Sequence, residues 1–99
     1  MVTYEVKVLA DASLDLVIFY CDPEGRAVAH TTARRWLKRV VLPAGQTASL
    51  YVTISHNCDF CKKDNFLADS RTLFLGKITS GGRMISEYSE NLIMIALTQ

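Results

Sequence analysis

What this chain lacks narrows its function first. It has no apolar run of the ~18–20 residues a helix needs to cross a membrane; the longest late run, Leu92 to Leu97, is strand-sized. It has 3 cysteines, Cys21, Cys58 and Cys61. That is too few for a disulfide scaffold, and the odd number leaves one over. Its formal net charge is +1, without the basic excess of a dedicated nucleic-acid binder, so no nucleic-acid partner is expected. No signal-peptide block opens it, because Val2 to Leu9 alternates with Glu5 and Lys7. There is no Gly-x-Ser-x-Gly elbow, and Gly81-Gly82 is followed by neither the lysine nor the helix of a phosphate loop. Internal repeats and low-complexity segments are missing too.

What remains is enough for a core. The chain has 99 residues, 49% of them hydrophobic, and reads as a single domain over 1–99. A domain of this size buries roughly 60–70% of its unfolded surface and needs no metal or disulfide to fold.

The dominant period is two, the signature of strands. Val2, Tyr4, Val6 and Val8 make one face of the first strand; Thr3, Glu5, Lys7 and Leu9 make the other. Leu14 to Cys21 is nearly continuous in apolar residues, as in a central strand. Asp22-Pro23-Glu24-Gly25 is a tight turn, since proline presets its φ and glycine tolerates positive φ. Arg26 to Thr32 returns from it. Leu42 to Gln46 is another turn, and Ala48 to Ser55 alternates cleanly. Thr72 to Ile78, a Ser80-to-Arg83 turn and Met84 to Tyr88 predict a hairpin. Leu92 to Thr98 is expected as a last, mostly buried strand. Residues 31–41 fit two patterns. Ala33, Trp36, Leu37, Val40 and Val41 have helical spacing, whereas Trp36, Lys38, Val40 and Leu42 share a face in a strand. The strand is preferred, because Val40-Val41-Leu42 runs straight into the Pro43 turn. The expected fold class is all-β, an antiparallel sandwich of about seven or eight strands, immunoglobulin-like in type.

The order of these signals resembles a known pattern. Tyr4-Glu5-Val6 opens the domain, the Asp22-to-Gly25 turn follows an apolar strand, and Trp36 leads the middle strand. Leu75-Gly76-Lys77-Ile78 then precedes Gly81-Gly82-Arg83-Met84-Ile85-Ser86-Glu87 and a closing apolar strand. This is similar to the extracytoplasmic domain of mycobacterial MmpS-type proteins and to small immunoglobulin-like sandwich lipoproteins of Bacteroidetes. The resemblance implies an exported, membrane-tethered accessory or envelope protein without a catalytic site. It assigns no functional residue. Contact with a membrane would run only through an anchor absent from this chain. The implied location is periplasmic or cell-surface if Met1 is not the natural start, and cytoplasmic if it is.

Two clusters offer chemistry. His56-Asn57-Cys58-Asp59-Phe60-Cys61 holds a Cys-x-x-Cys turn, which can set two thiolates on one tetrahedral zinc. His56 is close enough to be a third ligand; Cys21 or His30 would arrive through the fold as a fourth. A strong zinc signature has two such pairs and this chain has one, so no cofactor is expected, with zinc at Cys58, Cys61 and His56 as the alternative. Redox use of the pair would need a following helix, but Lys62-Lys63-Asp64-Asn65 lacks helical periodicity. The second cluster is Arg34, Arg35, Lys38 and Arg39, with Arg26 upstream. It reads as a solvated face, or alternatively as a weak nucleic-acid or anion site. Trp36 within it is expected in the core. The expected function is a non-catalytic binding or accessory module of the cell envelope, with an unknown protein or envelope component as partner. The chain is expected as a monomer or weak homodimer, and not as an enzyme.

Overall fold

The computed structural model describes residues 1–9, 15–54, 74–89 and 92–99. These form eight strands: β1 (Val2–Val8), β2 (Leu16–Asp22), β3 (Gly25–Thr31), β4 (Arg35–Val40), β5 (Thr47–Ile54), β6 (Phe74–Ser80), β7 (Arg83–Ser89) and β8 (Leu92–Thr98). The described residues contain no helix. The strands build two antiparallel sheets, ordered β4-β1-β6-β7 and β3-β2-β5-β8. The all-β sandwich is therefore as expected. Two pairs interlock: β1 pairs β4 in one sheet while β2 pairs β5 in the other.

The core lies between the sheets and follows the period-two pattern. Val2, Tyr4, Val6 and Val8 point in from β1, and Leu16 and Ile18 from β2. Ala48, Leu50 and Val52 come from β5, Phe74 and Ile78 from β6, and Ile93 and Ile95 from β8. The β6–β7 hairpin turns on Gly81 and Gly82, at φ 56° and 80°. A two-residue hairpin needs positive φ at both positions to match the strands' twist, which glycine supplies without a Cβ clash.

Residues 35–40 are a strand. β4 pairs with β1 along Val2 to Lys7, so tertiary pairing overrides the helical spacing. Trp36 packs against the core, its ring centroid 5.3 Å from that of Tyr20. Tyr20 in turn lies 5.6 Å from Tyr4. The three rings bridge the two sheets. β8 differs from expectation. Ile93 and Ile95 are buried, but Leu92, Met94 and Ala96 are exposed. β8 is an edge strand, and it packs on the other sheet through one face only.

Tyr4 is fully buried, and its hydroxyl donates to the Cys21 carbonyl at 2.6 Å. Burial first, and then the nearby Cys21 thiol, push that hydroxyl from 10.0 up to about 12. Folding thus favours the protonated phenol. Its contribution is complete below the unfolded value near pH 10 and is lost as pH rises towards 12, amounting to roughly 2–3 kcal/mol. Urea unfolding between about pH 9 and 12 checks this. The unaltered chain should lose stability faster than Tyr4→Phe; parallel curves would refute the assignment.

Candidate functional site

The outer faces of the two sheets differ in charge. On β4-β1-β6-β7 the outward positions include Glu5, Lys7, Arg35, Arg39 and Lys77. Glu5 sits between two cations, with Arg35 Nε at 2.8 Å and Lys77 Nζ at 3.5 Å. With four cations to one carboxylate this face is net basic, and registry sets exposed Leu37, Met84 and Tyr88 among its charges.

The outer face of β3-β2-β5-β8 is apolar. Registry places Val28, Phe19, Tyr51 and Met94 in one row across all its strands. Val28 is 54% exposed and Met94 66%. Phe19 and Tyr51, half-buried, meet edge-to-face with centroids 5.6 Å apart, the arrangement aromatic quadrupoles favour. The next row runs His30, Val17, Thr53 and Leu92. A half-open groove of about 510 Å³ follows the first row, bordered by Phe19, Arg26, Ser49, Tyr51, Met94 and Ala96. Arg26 and His30 are the only basic side chains among the strand positions of this face, and no carboxylate stands among them. Arg26 has no ion-pair partner among the described residues. The face can take up apolar side chains and offers the Arg26 guanidinium to an anion.

The basic block is divided by strand alternation. Arg35 faces outward to Glu5. Lys38 and Arg39 border a shallow cleft of about 400 Å³ that also holds Asp22 and Glu24. Arg34 lies in the bend before β4, its carbonyl accepting from Val8 N–H at 2.7 Å. Arg35 and Arg39 thus share the outward face, Lys38 has the opposite parity, and Arg34 precedes the strand. Arg26 stands on the other sheet.

His56, Cys58 and Cys61, the alternative zinc ligands, lie outside the described residues. Among the described residues no group of histidine, cysteine and carboxylate side chains could hold a metal. Cys21 is an unpaired thiol with Gln46 Nε2 at 3.2 Å. His30 sits four positions along the same face by registry, about 13 Å from Cys21 at strand rise. The fold does not bring these two together.

No protein-family model, curated protein or solved structure matches the chain.

The apolar row was not singled out from sequence. Its signal was there: Leu16 to Cys21 is apolar at both parities, which reads as a strand covered on both sides. Among the described residues the second cover is absent, so Val17, Phe19 and their cross-strand neighbours line the surface.

Proposed function

We propose that this protein is a non-catalytic binding or accessory module of the cell envelope, an immunoglobulin-like, lipoprotein-like sandwich. It docks a segment of a protein partner on the outer face of β3-β2-β5-β8. The observation that carries this reading is the continuous row of Val28, Phe19, Tyr51 and Met94 across all four strands of this face, beside an Arg26 without an ion-pair partner among the described residues. Scattered apolar residues are ordinary on a surface, whereas a continuous row across a sheet marks an interaction site. Charge complementarity gives the segment's chemistry: aliphatic or aromatic side chains beside a carboxylate that meets Arg26. The interlocked strand pairs support the immunoglobulin-like assignment. The turn and strand order from Tyr4 to the final hairpin supports the envelope assignment.

Matched synthetic peptides test it, one set alternating Leu and Phe with Glu, the other with Lys in place of Glu. The acidic set should bind and the basic set should not. Val28→Lys should weaken binding at least about tenfold, and Arg26→Glu should reverse the charge preference. Equal binding of both sets, or unchanged binding by Val28→Lys, would remove the assignment. Fractionation of cells carrying the natural gene should place the protein with the envelope; a wholly cytosolic protein would contradict that part.

A further inference from the structure

The four sheet edges are unequal. β3 carries Arg26, β4 carries Arg35, Lys38 and Arg39, and β7 carries Arg83 and Glu87. β8, from Leu92 to Thr98, has no charge, no proline and no glycine. Charges, prolines and bulges are the means by which edge strands refuse another strand.

The backbone of β8 defines how much of this edge is open. Gln99 N–H donates to the Gln46 carbonyl at 3.1 Å, and the Gln99 carbonyl accepts from Gly45 N–H at 3.0 Å. Backbone groups alternate sides along a strand. Those of Ile93, Ile95 and Leu97 therefore face β5 as well, and those of Leu92, Met94, Ala96 and Thr98 face away. At one end, Leu92 N–H donates to Ser89 Oγ at 2.9 Å. At the other, the Thr98 carbonyl accepts from the Arg83 guanidinium at 2.6 Å. Between them, the N–H and C=O groups of Met94 and Ala96 have no partner among the described residues.

We propose that this edge pairs with a second copy of the chain, β8 against β8, antiparallel about a two-fold axis at Ile95. That register opposes Met94 to the second copy's Ala96 and satisfies every open group. Its side-chain pairs are apolar on both faces, Met94 with Ala96 outside and Ile95 with Ile95 inside. Charge also favours a second copy over an unrelated strand. Arg83 lies at the Thr98 end of β8. Glu87 lies towards the Ile93 end, because it pairs with Gly76, whose Cβ direction meets Ile93 at 3.0 Å. The two-fold axis brings opposite ends together, so Arg83 comes to the side of the second copy's Glu87. The contact is self-complementary and closes at two copies. It also sets the Met94 end of each apolar row against the second copy's Ala96.

A single strand pair buries less than a standard interface, so association is weak. Sedimentation equilibrium from about 10 μM to about 1 mM should show a monomer–dimer equilibrium. In parallel, the Met94 and Ala96 amides should exchange at least about tenfold more slowly at the concentrated end. Ala96→Pro removes an outward N–H and no bond to β5, a position where an edge strand tolerates proline; it should stay monomeric with its fold intact. Glu87→Arg should weaken the dimer, and Arg83→Glu with Glu87→Arg should restore it. A single-copy mass at about 1 mM, a dimer with unprotected Met94 and Ala96 amides, or a dimer that survives Ala96→Pro would overturn the pairing. Should Ala96→Pro fail to fold, amide exchange in the unaltered chain decides.

Discussion

Tyr4→Ala should destabilise the domain by about 4 kcal/mol, measured as the shift in urea unfolding free energy. Tyr4 is among the largest fully buried side chains, and it joins the sheets in two ways. Its ring packs on Tyr20, and through Tyr20 reaches Trp36. Its hydroxyl bonds the Cys21 carbonyl on the opposite sheet. Truncation leaves a ring-sized cavity and strands a part-buried acceptor. Tyr4→Phe keeps the ring and should cost only about 1–2 kcal/mol, the contribution of the hydrogen bond. The gap between the two variants separates packing from polar satisfaction. Since a domain of this size is stable by only about 5–15 kcal/mol, Tyr4→Ala should unfold close to ordinary temperatures. A cost below about 2 kcal/mol would mean that the ring bridge does not hold the sheets together.

Gly76→Val should cost about 3 kcal/mol, and Gly76→Ala about 1 kcal/mol. Gly76 is in the middle of β6, paired with Val6 on one side and Glu87 on the other. Strand propensity alone favours either replacement over glycine. Packing decides the other way. A Cβ at Gly76 would stand 3.0 Å from Ile93 Cγ2, 3.1 Å from Ile93 Cδ1 and 3.3 Å from Leu50 Cδ2. The facing sheet approaches too closely for a methyl without displacement, and valine adds two more carbons to the same space. Ile93→Val removes Cδ1 and should recover part of the loss in Gly76→Ala. Thermal or urea unfolding of the two single variants and the double variant measures that coupling. Gly76→Val with unchanged stability would show that the sheets can part at this point without cost.

These residues show where sequence reasoning reached and where it stopped. Alternation along β1 and β5 is legible because a residue's face depends only on its parity within its own strand. The Asp22-to-Gly25 and Gly81-Gly82 turns are legible for a similar reason, since turn chemistry acts over a few neighbouring residues. Trp36 was ambiguous because its segment fits both periods, and pairing with β1 selects the strand. The exposure of Met94 could not be read locally. Leu92 to Thr98 is apolar whether it is buried in a sheet or closes one, and only the sheet order makes β8 an edge. The candidate site shows the same limit. Phe19, Val28, Tyr51 and Met94 come from four separate strands, and only registry aligns them. Of the block Arg34 to Arg39, alternation keeps Arg35 and Arg39 on one face and gives Lys38 the other parity, a division visible only once the segment is known to be a strand.

By itself, then, the sequence determined an all-β fold, most of its strands and turns, and the inward-facing residues of β1 and β5. These depend on interactions spanning a few residues. The tertiary structure alone decided that one sheet face groups Lys7, Arg35, Arg39 and Lys77 around Glu5 and that the other aligns an apolar row beside Arg26. It also decided that β8 ends its sheet, with the outward backbone groups of Met94 and Ala96 unpartnered among the described residues. Those properties belong to pairs of strands far apart in the chain, and no local pattern encodes which strand lies beside which.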